Sequence, residues 1–334
     1  MSPRLRSESE QWAAPAPDLT RELRPGALAA DQAVVTNKLF ERLEPEEVAE
    51  LERRIEASGE FEDLPWRAGS SEEAYRRFLL LSLGLWLGVD EVSERTGLTL
   101  AIPPDEVHSM TRGPQAAAGG LYEADMVISG LLSAGGDVDA VRRGLDFGCS
   151  SGRVVRALAA GYPDVSWSGC DPNGPAIEWA RANLPGIEFF VNGNEPPLPI
   201  ADGELDLVFA ISVWSHFEPA LGLSWFEEMR RVLRPGGHLV FTSHGLSSVD
   251  FLHSHGLRSP AQSVEIRRAL YSSGTWYAAE FGEQGDWGVV NSSWGSAFLS
   301  PEWVLTNLCP RWRVLEFAPG RNAGNQDVYV AERS

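Results

Sequence analysis

The sequence has little lysine, little cysteine and no apolar run of membrane-spanning length. Only one of its 28 basic side chains is a lysine, Lys38, and 47 acidic residues bring the net charge to -19. The acidic residues are spread along the chain, and such a protein is poorly suited to bind a phosphate backbone or an anionic membrane. We therefore expect neither a nucleic acid nor a membrane as its partner.

The scarcity of cysteine excludes two further classes of protein. Cys149, Cys170 and Cys309 show no paired spacing, so the sequence predicts neither a disulfide framework nor a zinc site. The apolar run from Phe78 to Val89 has twelve residues, whereas a helix that spans a bilayer needs about twenty. We expect a buried helix there, no bound metal, and a protein of the reducing cytoplasm.

The sequence pattern of the first third of the chain differs from that of the rest. Residues 1–35 mix proline, serine, glutamate and arginine without an apolar core, which predicts a disordered tail rather than a signal peptide. Residues 36–118 carry helix signals, with Pro45 suited to a first helical turn and Gly59 to a helix end. We interpret them as a helical cap that precedes a second part, residues 119–334.

In the second part, strands and helices alternate. This pattern is typical of an α/β protein with a parallel sheet covered on both faces. The predicted strands are, in order, RRGLDFG, VSWSGC, IEFFV, LDLVFAI and GHLVFTSH. Ligands of such sheets bind over the carboxyl ends of the strands. The site is therefore expected at residues 146–153, 171–174, 192–195, 211–217 and 242–246.

The glycine loop after the first strand, GLDFGCSSGRVV, indicates which ligand is bound. A dinucleotide-binding loop has glycines at relative positions one, three and six, but these places hold Gly148, Ser150 and Arg153. Instead an acid, Asp171, ends the second strand nineteen residues after Gly152. A carboxylate there can accept hydrogen bonds from both hydroxyls of an adenosine ribose. The pattern predicts adenosine recognition without a pyrophosphate site, although a plain strand-to-helix turn and a helix-capping aspartate would give the same letters.

The motifs that follow resemble, in order and spacing, those of the class I S-adenosylmethionine-dependent methyltransferases. They are GLDFGCSSGR, GCDP, PPLPIADGELDLVFAISVWSHF and MRRVLRPGGHLVFTSHG. The resemblance implies a Rossmann-like fold with a seven-stranded, mostly parallel sheet in the order 3-2-1-4-5-7-6, and S-adenosyl-L-methionine as the cofactor. It assigns cofactor binding to Asp146, Gly148, Cys149, Ser150, Gly152, Asp171, Pro172, Asn194 and Ser212.

Two positions depart from the family pattern. Ser150 stands where the family most often has glycine, and we expect it to keep a negative φ and to offer its hydroxyl to the cofactor carboxylate. Asn194 replaces a frequent aspartate, but it can still accept a hydrogen bond from an adenine amino group. We expect both changes to preserve binding.

Two histidines are candidates for a catalytic base. His216 follows the fourth strand and His244 ends the fifth, so both should face the site. An imidazole can take the proton of a hydroxyl acceptor near neutral pH. For His216, a structural hydrogen bond beneath the cofactor stays open as the alternative.

A tryptophan-rich insertion at about residues 250–298 completes the predicted site. It can arch over the cavity or serve as ordinary packing, and its pieces YSSGTWYAAEF and WGVVNSSW are candidates for a hairpin. Aromatic faces stack on sugars and planar acceptors. With the resemblance to bacterial enzymes of glycan and secondary metabolism, this favours O-methylation of a small-molecule or glycan hydroxyl. The alternatives are N- or C-methylation, a non-catalytic cofactor-binding partner protein and, remotely, an NAD-dependent oxidoreductase.

Overall fold

The computed structural model describes residues 32–61, 73–107, 113–280, 291 and 294–334. The helices before the sheet are α1 (Val34–Phe40), α2 (Pro45–Ser58), α3 (Glu73–Trp86), α4 (Asp90–Thr96), α5 (Gln115–Ala118) and α6 (Leu121–Ser133). Those that follow are α7 (Arg153–Gly161), α8 (Gly174–Asn183), α9 (Pro219–Val232), α10 (Leu246–Ser254), α11 (Pro260–Ser273) and α12 (Pro301–Leu308). None of the helices in the described ranges is long and apolar enough to cross a bilayer.

One seven-stranded sheet organises the second part of the chain. Its strands are β1 (Arg143–Phe147), β2 (Ser166–Asp171), β3 (Glu188–Val191), β4 (Leu205–Ala210), β5 (Leu233–Ser243), β8 (Trp312–Asn322) and β9 (Gln326–Arg333). They lie in the order β3-β2-β1-β4-β5-β9-β8, with β1 to β5 parallel and β9 antiparallel to both β5 and β8. The predicted fold and strand order are confirmed.

The central strands are apolar on both sides because helices cover both faces of the sheet. Leu207 and Phe209 of β4 belong to one apolar core, and the intervening Val208 belongs to the other. The first core includes α1, α3, α6, α7 and α8, and the second includes α9 and α12. A strand buried on both faces is typically a continuous apolar run, which is why LDLVFA was easily recognised.

The helices before the sheet share the first of these cores. As predicted, α2 begins at Pro45 and ends at Ser58, directly before Gly59. The predicted tail, residues 1–35, falls mostly outside the described residues, but its last two residues are helical because α1 starts at Val34. The buried Asp125 of α6 explains that start, since its carboxylate accepts hydrogen bonds from the backbone N–H groups of the first turn of α1. The described residues within 36–118 therefore pack against the helices and strands that follow them, in a shared core.

The insertion after β5 contains α10, α11 and a separate two-stranded sheet. Its strands β6 (Thr275–Ala278) and β7 (Ser296–Leu299) are antiparallel. The first predicted piece, YSSGTWYAAEF, contains β6, whose described pairing partner is the buried run SAFL of β7. Most of the second piece, WGVVNSSW, lies outside the described residues. A small apolar cluster of Val249, Ile266, Leu270 and Phe298 holds this sheet to α10 and α11.

Candidate functional site

The loop after β1 is tied to the end of β2. The backbone N–H groups of Gly148 and Cys149 both donate to the Cys170 carbonyl oxygen, at 2.8 and 3.0 Å. Gly148 has φ +81°, and a Cβ atom there would lie 2.5 Å from Cγ2 of Val213 in the loop after β4. The absence of a side chain at Gly148 therefore lets the two loops approach each other over the carboxyl ends of the strands.

The backbone conformation of Ser150 differs from the one expected from the sequence. Its φ is +49°, in the left-handed region, so the expectation of a negative φ is wrong. The reason lies in a hydrogen bond of 2.8 Å that the Ser150 N–H donates to Oδ2 of Asp171. This bond turns the backbone toward the end of β2, a conformation that usually costs an L-residue about 1–2 kcal/mol.

Three other predicted cofactor residues, Asp146, Cys149 and Gly152, belong to this region but do not line the cavity. Gly152 has φ +80°, and a Cβ atom there would lie 2.7 Å from Leu184, so it permits close packing of helix on strand. Cys149 is buried, and burial raises the pKa of its thiol well above the usual value. Asp146 is buried as well, and burial raises its pKa to about 8, while the positive charge of Arg153 acts in the opposite direction.

Asp171 joins the two loops on this side of the site. Its Oδ1 accepts a 2.8 Å hydrogen bond from the Asn173 N–H, and its Oδ2 accepts the bond from Ser150. Burial raises the pKa of this carboxyl, although both backbone hydrogen bonds favour the ionised form. A carboxylate has about four lone-pair directions, so each oxygen keeps one direction for a further donor.

Asn192 was not assigned individually from the sequence, although it falls within the predicted loop 192–195. Its Nδ2 donates to the Gly193 carbonyl at 2.7 Å, while its buried Oδ1 has no hydrogen-bond partner among the described residues. A buried acceptor without a donor costs free energy until a ligand supplies one. Its position directly after β3 could have marked Asn192 as a site residue, but the family pattern assigns the adenine contact to Asn194.

The loop after β4 brings one of the two candidate histidines to the site. Nδ1 of His216 lies 3.0 Å from the carbonyl oxygen of Gly295, and because a carbonyl only accepts, Nδ1 carries the proton. Nε2 of the neutral ring is then the basic nitrogen. Burial lowers the pKa of His216 to about 4, so the ring is neutral at pH 7.

His244 lies behind His216 and is not part of the cavity lining. The two ring centroids are 6.3 Å apart, and the His244 ring packs against Phe298 at 4.9 Å. Burial lowers its pKa to about 3, and its Nδ1 has no partner among the described residues. The structure therefore brings only His216 of the predicted pair to the cavity.

A cavity of about 750 Å³, including its open mouth, lies over the ends of β1 to β4. The predicted residues that line it are Gly148, Ser150, Asp171, Pro172, Asn194, Ser212 and His216. Three aromatic side chains that were not assigned individually also line it: Phe147 and Phe217, which fall within the predicted segments 146–153 and 211–217, and Trp225, which lies outside all of them. Trp294, from the predicted insertion, lines the cavity beside them.

The insertion is fastened to this cavity through its main chain. Gly295 N–H donates to the His216 carbonyl at 2.9 Å, and Ala297 N–H donates to the Ser215 carbonyl at 2.8 Å. Leu299 N–H donates to the His244 carbonyl at 2.8 Å. Residues 294–299 thus run along the loop that carries His216. In the described part of the chain, no cluster of three or more histidine, cysteine or acidic side chains could hold a metal ion.

Comparison with known proteins finds relatives for part of the chain. Residues 145–237 match a family model described as a methyltransferase domain. A fatty-acid O-methyltransferase of Mycolicibacterium smegmatis is 34% identical over 103 residues, which cover 30% of this chain and 36% of that protein. A phthiotriol/phenolphthiotriol dimycocerosates methyltransferase 1 of Mycobacterium ulcerans is 35% identical over 103 residues, covering 30% of this chain and 37% of that protein. The chain thus spans little more than a third of the length of these relatives.

A solved structure of an S-adenosylmethionine-dependent methyltransferase from Methanosarcina mazei aligns with a TM-score of 0.42 at 20% identity. The alignment covers 57% of this chain and 92% of that protein.

Proposed function

We propose that the chain is a class I S-adenosylmethionine-dependent methyltransferase that methylates an oxygen atom of a small, lipid-like molecule; the match of residues 145–237 to a methyltransferase domain supports this. The observation that carries the proposal is the position of His216. Its neutral imidazole lines the same cavity as the Asp171 carboxylate and a group of aromatic side chains.

The residues of the cavity fit S-adenosyl-L-methionine. Asp171 has one lone-pair direction left on each oxygen, which suits the two ribose hydroxyls, and the buried Oδ1 of Asn192 suits a donor such as the adenine amino group. The loop from Gly148 to Ser150 would hold the methionine portion against main chain. Asn194 and Ser212 line the same cavity and complete the set of proposed cofactor contacts.

When bound, this cofactor supplies a methyl carbon on a positively charged sulfur, which leaves as a neutral thioether and needs no acid. The protein must therefore orient the acceptor oxygen and receive its proton. His216 suits the second task because Gly295 holds the proton on Nδ1, so the lone pair of the neutral ring lies on Nε2. The proton of an acceptor hydroxyl passes to Nε2 as the new oxygen–carbon bond forms.

The chemistry of the acceptor is inferred from the apolar part of the lining. Phe147, Phe217, Trp225 and Trp294 offer aromatic surface, and Ile211 and Val213 add aliphatic surface. Such walls favour an apolar acceptor with few polar groups. The names of the two bacterial relatives, which refer to a fatty acid and to phthiotriol/phenolphthiotriol dimycocerosates, support the same class.

The test is transfer of a labelled methyl group from S-adenosylmethionine to a panel of acceptors. The panel contains long-chain alcohols, fatty acids, free sugars and amines, and the products are separated by mass spectrometry. We expect methyl ethers or esters of the apolar acceptors. Transfer only to sugars would replace the lipid-like acceptor by the glycan alternative, and transfer only to nitrogen or carbon would refute O-methylation. Binding of S-adenosylhomocysteine with no transfer to any acceptor would leave the non-catalytic alternative, and tight binding of NADH instead would leave the oxidoreductase.

The role of His216 is tested by the variant His216→Asn. The asparagine Nδ2 can replace Nδ1 as the donor to the Gly295 carbonyl, so the substitution keeps that bond and removes the base. We expect kcat with an alcohol acceptor to fall by about 10²–10⁴-fold, the usual contribution of a general base. Affinity for S-adenosylhomocysteine should stay within about twofold of the wild type, since that ligand needs no proton transfer.

A carboxylic acid acceptor supplies the matched control. It is already ionised at neutral pH and has no proton to give, so His216→Asn should slow its methylation far less than that of the alcohol. Equal losses for both acceptors would show that His216 shapes the cavity rather than acting as a base.

A further inference from the structure

Ser212 has a strained backbone in the loop after β4, where it lines the cavity. It is the second residue after β4, lines the cavity, and has φ +63°, in the left-handed region that L-residues avoid. Val213 and His216 of the same loop line the cavity as well. The conformation of Ser212 therefore sets where the loop places these side chains.

Hydrogen bonds from Gln326, the first residue of the distant strand β9, stabilise this backbone conformation of Ser212. The Gln326 amide uses its full hydrogen-bonding capacity. Its Nε2 donates to Ser212 Oγ at 2.7 Å and to Ser215 Oγ at 3.4 Å, while its Oε1 accepts from Thr242 at 2.7 Å and from Asn322 at 3.2 Å. We call these five residues the Gln326 cluster.

A second connection runs through Thr242 of β5. The Ser212 N–H donates to Thr242 Oγ1 at 2.7 Å, so the Thr242 hydroxyl proton is directed to Gln326 Oε1. The backbone and the side chain of Ser212 are thus both tied to the same amide. Thr242 and Ser215 are fully buried and Gln326 is 4% exposed, so water is kept from the bond between Thr242 and Gln326.

The loop held by this cluster has little room to move without changing the cavity. Val213 Cγ2 already lies where a side chain at Gly148 would collide with it, and His216 is bonded to Gly295 through both its main chain and its ring. Closely packed loops do not deform smoothly. A change in the φ angle of Ser212 would therefore shift a wall of the cavity.

We propose that Gln326 is a positioning residue, which keeps Ser212 in the left-handed conformation so that the loop after β4 forms the cofactor-binding wall of the cavity. Gln326 itself does not line the cavity. The inference rests on the proposed function, because it treats the cavity as the site of S-adenosylmethionine.

A double-mutant cycle on S-adenosylhomocysteine binding tests the proposal. Gln326→Met keeps the volume of the side chain and removes the amide. We expect it to raise the Kd of S-adenosylhomocysteine roughly tenfold, because Ser212 then leaves the left-handed region. Glycine adopts that region without cost, so in a Ser212→Gly background Gln326→Met should raise Kd by less than about threefold. A Kd within twofold of the wild type, or the same tenfold loss in both backgrounds, would overturn the proposal.

Two further variants protect the test against simple loss of folding. Thr242→Val breaks the second connection and should weaken binding in the same direction, which serves if Gln326→Met does not fold. Thr36→Val is the matched control: it removes a fully buried hydroxyl whose bond to Asp125 lies outside the cavity, and it should lower the melting temperature without changing Kd. An equal change of Kd in Thr36→Val would show that the effect reports stability alone.

The two proposals fail in different ways. If the wild type binds S-adenosylhomocysteine but methylates no acceptor, the proposed function fails while the cycle still tests Gln326. If the wild type does not bind S-adenosylhomocysteine, both are refuted.

Discussion

Replacing Asp171 by asparagine gives a direct measure of the cofactor site. The carboxylate accepts one backbone hydrogen bond of 2.8 Å on each oxygen, from Ser150 and from Asn173. An asparagine has only one acceptor oxygen, so its amino group must face one of these N–H groups and would also face one of the ribose hydroxyls. Losing a charged acceptor costs about 1.5–3 kcal/mol, which corresponds to an increase in Kd of roughly 10- to 150-fold.

The assay is calorimetric titration with S-adenosylhomocysteine, and Asp206→Asn is a closely matched control. Asp206 of β4 also accepts two backbone hydrogen bonds, from Arg142 and Arg143 at 2.8 and 2.9 Å, but it is not part of the cavity lining. Both variants should lose stability, and only Asp171→Asn should lose affinity. If Asp171→Asn binds within twofold of the wild type, the carboxylate serves to hold the loop, and the assignment to the ribose is refuted.

Two further predictions concern packing and acid stability. Gly148→Ala should lower the free energy of unfolding by about 2–4 kcal/mol, and adding Val213→Ala should recover the steric part, because the new methyl group meets Val213 at 2.5 Å; denaturant titration that shows additive losses would contradict this. His244 has a pKa of about 3 in the folded protein against an ordinary value of 6.5, so it costs the wild type stability as the pH falls below 6.5. The free energy of unfolding of His244→Leu, compared with that of the wild type, should therefore rise by about 2 kcal/mol when the pH is lowered from 8 to 5. If the difference between the two proteins is the same at both pH values, a neutral buried ring is refuted. Asp125 and Asp146, whose raised pKa values act in the opposite direction, are present in both proteins and cancel in this comparison.

The sheet and the main loops were predictable because each depends on local signals. The run LDLVFAI is apolar on both faces, and the strand found there, Leu205–Ala210, differs by one residue at its end. The helix start at Pro45 followed from proline chemistry. Asp171 was expected at the site because it ends the second strand, and it does line the cavity, while its contact with the ribose stays a prediction.

The features that escaped prediction depend on contacts between distant parts of the chain. The left-handed conformation of Ser150 results from its bond to Asp171, which is 21 residues away. The cluster around Gln326 connects residues separated by 84 and 114 positions. The pairing of β6 with the buried run SAFL of β7 was not predicted either, because no local pattern marks that run as its partner.

The attachment of the insertion through its main chain affects which residues at the cavity can vary. The three hydrogen bonds that attach Gly295, Ala297 and Leu299 to the sheet domain are donated by main-chain N–H groups, which almost any residue provides. A substitution of Trp294, which lines the cavity, would therefore leave these three hydrogen bonds in place. Substitutions at this position can change the size of the cavity while the main-chain bonds keep residues 295–299 attached.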